Sequence, residues 1–348
     1  MCCSCQRCSN CQNSSTVRLP PVRLVRIRST VNDERTFVTR DFCSDSADRN
    51  LVVIQRNPTS GSGRGAKQIV ILIRALRRLG YRVRLFGSRE RLDQFVAHSA
   101  VQQQLRCLVA AGGDGTVSGL ANRHSDFPIA TLPLGTENLM ARYLQIACCG
   151  ESVAQLVHKL ATACFDTAFA DDQRFLLMTS VGVDADVVRR LHRVRTGNIR
   201  HLSYVKPILQ SFCGYAFPRL SVHSPDGELL GEGTHVIVTN IPAYGFRMPF
   251  SPQADPQDGL LDVRIFRQAG RITTLIHALR TRLGFGDKRG DVQRFTASEI
   301  EIRSAADETP AQCDGDPAPC CPLNISVAPA SMTMVVPETH PRSSATAG

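Results

Sequence analysis

From residue 51 onward, short apolar runs alternate with stretches whose apolar residues recur at helical spacing. LVVIQ reads as a buried strand and NPTSGSGRG as turn chemistry, while Ile69, Leu72, Ile73, Leu76 and Leu79 predict an amphipathic helix over Ala66–Leu79. Gly80 stops that helix, YRVRLF alternates as a strand, and Glu90–Ala100 is helical in pattern. Then follow LRCLVAA, the loop GGDGT, a helix from Val117, the strand PIATLPL and the loop GTEN, which enters a helix at Leu139. Four strand–loop–helix units in succession predict a parallel sheet covered by helices, with ligands at the carboxyl ends of the strands.

After about residue 170 the pattern changes to strands with β alternation. RFLLMTSVGV, PRLSVHSPDGELLGEG with a hairpin turn at Asp226-Gly227, THVIVTN, GLLDVRIF and EIEIRS predict a mostly antiparallel second domain. Helical stretches fall at Asp184–Arg193, Tyr204–Cys213 and Ile272–Leu283. NISVAP and SMTMVVP form a late strand pattern before the polar tail HPRSSATAG. The expected division is an N-terminal extension over 1–48, with a short strand at Val22–Val31, and an α/β domain over 49–170 completed by 322–337. A β-rich domain over 171–321 and a disordered tail over 338–348 complete it.

With 348 residues, 43% hydrophobic and 21% charged, the chain has material for two ordinary cores, which excludes disordered, collagen-like and coiled-coil classes. The 14 cysteines do not suggest a disulfide scaffold, because Cys2, Cys3, Cys5, Cys8 and Cys11 crowd the start and the rest are scattered. That cluster reads as a redox-sensitive tail more readily than as a zinc or iron–sulfur site. No run is long and apolar enough for a transmembrane helix, and MCCSCQRCSN lacks the hydrophobic region of a secretory signal. A cytoplasmic protein is expected.

Three loops end successive strands: Asn57-Pro58-Thr59-Ser60-Gly61-Ser62-Gly63, Gly112-Gly113-Asp114-Gly115-Thr116 and Leu134-Gly135-Thr136-Glu137-Asn138. Their glycines let backbone N–H groups approach a phosphate, and Ser60, Thr116 and Thr136 add hydroxyl donors. A tight turn explains any one of these loops; three on one sheet edge point to a polyphosphate. Asp114 between glycines implies a cation, since a carboxylate beside phosphates is otherwise repulsive. G-x-G-x-x-A occurs at Gly61–Ala66, yet the next strand closes as Leu85-Phe86-Gly87-Ser88 without the acid a dinucleotide fold requires. Walker, protein-kinase and serine-hydrolase motifs are absent.

NPTSGSG, AAGGDGTVSGLAN and LPLGTENLMARYL resemble the three nucleotide-site blocks of the diacylglycerol kinase catalytic domain, in its bacterial soluble lipid kinase branch. The resemblance continues through SVGVDADVV, FSPQADPQDGLLDVRIF and Gln312-Cys313-Asp314-Gly315-Asp316-Pro317, and spans about residues 50–337. It implies a lipid kinase in which an α/β domain and a β-sandwich domain flank an ATP cleft, the last strand returning to the first domain. By position, Asn57, Pro58, Thr59, Ser60, Gly61, Gly112, Gly113, Asp114, Gly115, Thr116 and Thr136 would contact ATP. Asp314 would take the proton from a lipid hydroxyl, Asp114 would help organise Mg²⁺, and Asp255, Asp258 and the Leu260 carbonyl would hold a structural Mg²⁺. From the residues alone, Asp314-Gly315 also fits a plain turn, and Asp255 and Asp258 a solvated hairpin tip. Two departures stand out: Ser118-Gly119 where the family often has Asn-Glu, and Asp316 in place of Glu.

Lys+Arg exceed Asp+Glu by 41 to 31, a net charge of +10, and only Lys67, Lys159, Lys206 and Lys288 are lysines. Arginine groups such as Arg74-Arg77-Arg78 and Arg189-Arg190-Arg193-Arg195-Arg200 fit solvated helix faces or an anionic membrane surface. The expected partner is a lipid substrate at such a surface, with reversible, peripheral association. Nucleic acid is disfavoured because no recognition motif occurs and Trp is absent. A homodimer stays open. Phe212, Tyr215, Phe217, Phe246 and Phe250 could meet acyl chains or form core. The alternatives to a diacylglycerol acceptor are a sphingoid base, ceramide, phosphatidylglycerol or, least favoured, NAD; a non-catalytic nucleotide-binding regulator is the alternative from another class.

Overall fold

The computed structural model describes residues 49–57, 64–193, 205–244, 248–268 and 290–341, with isolated positions between 270 and 280. The expectations for residues 1–48, for Pro58, Thr59, Ser60 and Gly61, and for residues 342–348 lie outside the described residues.

The first part of the chain runs β1 (Leu51–Arg56), α1 (Arg64–Arg78), β2 (Arg82–Phe86), α2 (Arg89–Val96), α3 (Ser99–Gln104), β3 (Leu105–Gly112), α4 (Asp114–His124), β4 (Ile129–Pro133), α5 (Leu139–Tyr143) and α6 (Gly150–Lys159). β1, β3 and β4 are mostly apolar and, except for Arg56 at the end of β1, buried, as strands of a parallel sheet covered on both faces must be. β2 lies at the sheet edge and alternates exposed arginines with apolar residues. α1 sets Ile69, Leu72, Ala75 and Leu76 into the core, each leucine contributing about 2 kcal/mol by burial. Gly80, at φ +89°, reverses the chain after it. The helical pattern at Glu90–Ala100 is two helices, α2 and α3, broken at Ala97–His98.

The second part runs β5 (Thr162–Ala170), β6 (Gln173–Phe175), β7 (Met178–Val181), α7 (Val183–Arg193), α8 (Val205–Gly214), β8 (Leu220–His223), β9 (Leu229–Gly233) and β10 (His235–Thr239). It continues through β11 (Ala243–Tyr244), β12 (Met248–Pro249), β13 (Leu261–Phe266), β14 (Val292–Ala297), β15 (Glu299–Ser304), β16 (Ala311–Cys313), β17 (Asp316–Ala318) and β18 (Leu323–Val335). The run expected as one strand, RFLLMTSVGV, breaks at Leu176–Leu177 and serves two different sheets through β6 and β7.

A ten-stranded sheet has the order β2-β1-β3-β4-β18-β15-β8-β9, with β5 paired to β18 and to β6. Its β1–β4 portion is parallel. The six-stranded sheet β14-β13-β10-β7-β16-β17 is antiparallel and packs on the other as a sandwich. The fold is thus a parallel-sheet α/β domain joined to an antiparallel β-sandwich.

β18 belongs to both halves. Leu323 and Ile325 lie in the sandwich core, whereas Met332, Met334 and Val335 lie in the α/β core. A bulge at Ala328–Met332, with Ala330 at φ +48°, marks the passage between them. Residues 338–341, expected in the tail, are docked: Lys159 pairs with Glu338, and the His340 ring meets Tyr143 and Phe165. Among the described residues no helix is long and apolar enough to cross a membrane.

Candidate functional site

The edge of the sheet at the carboxyl ends of β1, β3 and β4 is assembled by close backbone approach. A Cβ on Gly112 would stand 2.1 Å from Thr116 Oγ1, and one on Gly135 would stand 2.5 Å from the Cα of Gly113. Only glycine fits at either place. Asn138, at φ +50°, pins the third loop: the Gly135 N–H donates to its Oδ1 at 2.9 Å, and its Nδ2 donates to Gly135 O at 2.8 Å. Asn57 joins from the first loop, its N–H donating to Ala111 O at 3.3 Å. Gly113 is half-buried, Gly115 and Thr136 are exposed, and Thr116 is 4% exposed, its Oγ1 buried without a hydrogen-bond partner. A hydroxyl left so at a glycine-lined strand end suits an anion's oxygens. These residues fit a nucleotide's phosphates.

Asp114 opens α4 and reaches across to the start of α5. Its Oδ2 accepts the Leu139 N–H at 2.9 Å and its Oδ1 the Met140 N–H at 3.1 Å. Burial raises its pKa, and the two N–H donors oppose that rise. The carboxylate therefore ties the second loop to the third.

Asp314 comes from the other domain. β16 and β17 form a hairpin whose turn is Asp314-Gly315, at φ +52° and +86°. The Asp314 carboxylate enters the gap between β6 and β7, where its Oδ2 accepts from Leu176 N (2.8 Å) and its Oδ1 from Leu177 N (2.9 Å) and Met178 N (3.1 Å). The Asp314 N–H in turn donates to Met178 O at 3.0 Å. Burial pushes the carboxyl up to about 6 despite these donors, and the charge of Asp114 adds to the rise. The charge of Asp114 is thus felt at Asp314 across the domain boundary. A carboxylate offers about four lone-pair sites; three are taken here, and the remaining one lies on Oδ2.

The segment holding Asp314 is itself gripped from behind by Asn240, at the end of β10. The Asn240 N–H donates to Leu177 O (2.9 Å), and its Nδ2 donates to Leu176 O (2.9 Å) and Asp166 O (2.8 Å). Sequence reasoning missed Asn240; the only signal was a lone polar residue closing THVIVTN.

Asp255, Asp258 and Leu260 lie in the turn before β13. Gln257 N donates to Asp255 Oδ1 at 3.2 Å, and Leu260 N to Asp258 Oδ1 at 2.9 Å. Asp166 of β5, also missed, anchors this turn: its Oδ2 accepts from Gly259 N and its Oδ1 from Ala330 N in the β18 bulge, both at 2.7 Å. Partial burial raises the pKa of Asp258, with Asp255 and Asp166 adding to it. Burial, with Asp258 beside it, pushes Asp262 up to about 6. This crowding of carboxylates suits a cation, although among the described residues no group of three or more His, Cys, Asp or Glu side chains is arranged to hold a metal.

At Gly119, where a family carboxylate is absent, a Cβ would stand 3.3 Å from Arg123 Nη1. Phe250 is core, packed with Ile237 and Phe266, and Phe217 packs against that cluster with Tyr215 edge-on at 5.1 Å. The side chains of Phe212 and Phe246 lie outside the described residues. Of the arginines expected at a membrane, Arg189 and Arg190 pair with the buried Asp186, and Arg78 with Glu151.

Residues 50–169 match the family model of the diacylglycerol kinase catalytic domain, and residues 178–336 that of the YegS C-terminal NAD kinase beta sandwich-like domain. A Pectobacterium atrosepticum protein named as a probable YegS-like lipid kinase is 25% identical over 297 residues, which cover 82% of this chain and 98% of that one. A Mycobacterium tuberculosis protein named diacylglycerol kinase is 26% identical over 293 residues, covering 81% and 93%. A crystal structure described as a diacylglycerol kinase from Bacillus anthracis superposes with a TM-score of 0.61 at 20% identity, over 83% of this chain and 97% of that chain; it shows the shared fold. With both domain models matched in order and relatives named as lipid kinases aligned over nearly their whole length, the chain belongs to the diacylglycerol kinase catalytic-domain family of lipid kinases.

Proposed function

We propose that the protein transfers the γ-phosphoryl group of ATP to a hydroxyl of diacylglycerol or a related lipid, with Asp314 as general base. The observation that carries this reading is the Asp314 carboxylate, held by three backbone N–H donors and left with an unused lone pair on Oδ2, with Asp114 near enough for its charge to add to the rise in its pKa. Phosphoryl transfer asks the protein mainly for positioning and charge neutralisation. The glycine-lined loops offer backbone N–H groups, and Thr116 a hydroxyl, to the phosphates. Asp114 would help organise Mg²⁺ at the phosphates, and Asp255, Asp258 and the Leu260 carbonyl would hold a second, structural Mg²⁺. The ion at the phosphates supplies charge neutralisation when bound. The free lone pair of Asp314 Oδ2 would receive the hydroxyl proton as the lipid oxygen attacks phosphorus, and a base of pKa near 6 is deprotonated and competent at neutral pH. The lipid would be met at an anionic membrane surface by peripheral, reversible association from the cytoplasm.

Purified protein incubated with radiolabelled ATP, Mg²⁺ and separate micelles of diacylglycerol, monoacylglycerol, ceramide, sphingosine or phosphatidylglycerol tests this. Label entering one lipid, and lost in Asp314→Asn, supports the kinase and names its acceptor. A regulator that binds nucleotide without turnover is the second reading, motivated by Arg123 lying where a cleft carboxylate is missing at Gly119. A rise in melting temperature with ATP and Mg²⁺, with no lipid labelled, favours it.

A further inference from the structure

Behind the Asp314-Gly315 turn runs a chain of polar side chains, buried except at Asp184, whose hydrogen bonds can point only one way. At its far end, Asp184 accepts at both oxygens: His235 Nε2 lies 2.8 Å from Oδ1 and Ser180 Oγ 2.5 Å from Oδ2. A carboxylate cannot donate, so the single hydroxyl proton of Ser180 goes to Asp184. Ser180 Oγ is then an acceptor, and it receives the Gln312 Nε2 donor at 2.8 Å. With its nitrogen so committed, Gln312 turns its Oε1 to the Gly315 N–H, also at 2.8 Å. Ser180 and Gln312 are 0% and 1% exposed, so no water substitutes for these partners.

The far end is mechanically fixed as well. The His235 ring stacks on Phe266 at 5.3 Å and 26°. Gly182 lies against it too, where a Cβ would come within 2.4 Å of the ring. At the near end, two consecutive left-handed residues, one of them an aspartate, form a turn that costs free energy unless its surroundings impose it.

We propose that His235, Asp184, Ser180 and Gln312 are positioning residues that act as one directional relay, holding the Asp314-Gly315 turn in its left-handed conformation and so aiming the Asp314 carboxylate. The catalytic consequence rests on the reading of Asp314 as the base; the conformational one does not. The relay carries the polarity of one partly exposed carboxylate across the paired strands β7 and β16 to the turn, without placing a charge beside the base.

The test uses the full-length protein with Ser180→Ala, Gln312→Met and Asp184→Asn, each close in volume to the residue replaced. Amide hydrogen exchange at Gly315, followed by NMR, reads the turn directly. Exchange at Gly315 should rise about tenfold or more in Ser180→Ala and Gln312→Met while distant core amides keep their protection. Asp184→Asn, which can donate as well as accept, should give a smaller rise. In the lipid phosphorylation assay kcat should fall about tenfold or more with the KM for ATP within about twofold, because aim is lost and nucleotide binding is not. Unchanged Gly315 exchange in Ser180→Ala and Gln312→Met overturns the relay. Raised exchange with an undiminished kcat overturns its role in aiming the base. If wild type labels no lipid, the kinase reading fails on its own, and the exchange result still decides the relay. Should Gln312→Met not fold, Ser180→Ala, which removes a single oxygen, carries the test.

Discussion

The two edges that meet at the candidate site are built by different means. The nucleotide edge is made of strand-to-helix loops, each shaped by its own few residues, such as Gly112 against Thr116 and Gly135 against Asn138. The Asp314 edge is made of pieces distant in sequence: a hairpin turn, the Leu176–Met178 segment and Asn240. Both use an aspartate that accepts backbone N–H donors. Asp114 stays within one domain, whereas Asp314 sits in a gap that exists only when β6, β7 and β16 are all in place. A binding surface can be assembled locally; the aim of a reactive group here is a tertiary property.

Changes at the two edges should therefore differ in kind. The largest effect is expected from Asp314→Asn, which should lower lipid phosphorylation by about 10²–10⁴-fold, the usual contribution of a positioned base, while ATP still raises the melting temperature. Loss of nucleotide stabilisation in that variant would erase the contrast. Gly112→Ala should do the opposite, because its methyl group would displace Thr116: nucleotide-induced stabilisation should fall, by about tenfold or more in affinity, as read by calorimetry. Asp166→Asn should cost about 1–3 kcal/mol in urea unfolding, since one of its two N–H partners, Gly259 or Ala330, would face an amide nitrogen.

A smaller effect should come from acidity. The base works as the carboxylate, so with Asp314 raised to about 6 the rate should be level above that pH and fall as pH drops through it. A profile level down to pH 4 would mean that another group sets the rate. The smallest change is expected from Gly119→Glu, which would place a carboxylate next to Arg123; at a partly exposed position such a pair contributes about 0–1 kcal/mol, measurable as a slight shift in melting temperature.

The contrast also explains what could be read from the chain. The β1–β4 units follow from local patterns, because each strand is a continuous apolar run and each loop carries its glycines nearby. The break between β6 and β7 was hidden because Leu176 and Leu177 are as buried as the strands beside them, so hydrophobicity gives no sign of the change of sheet. β5 was missed because TACFDTAFA is poor in β-branched residues; it is a strand through its pairing with β18, some 160 residues later in the chain. Asp314 was visible only through the resemblance to a known family, since a D-G pair in isolation specifies a turn and nothing more. Asn240 and Asp166 left no such trace, as each acts on backbone atoms remote in sequence.

β18 threads both cores, and this bears on how the molecule comes into being. Neither hydrophobic core is closed until residues 323–335 have been synthesised, so during translation the α/β half waits, with the edge of β4 unpaired, for the last strand among the described residues. Domain-by-domain folding is thereby converted into a single late closure, which joins the two halves of the candidate site in the same event that completes their cores.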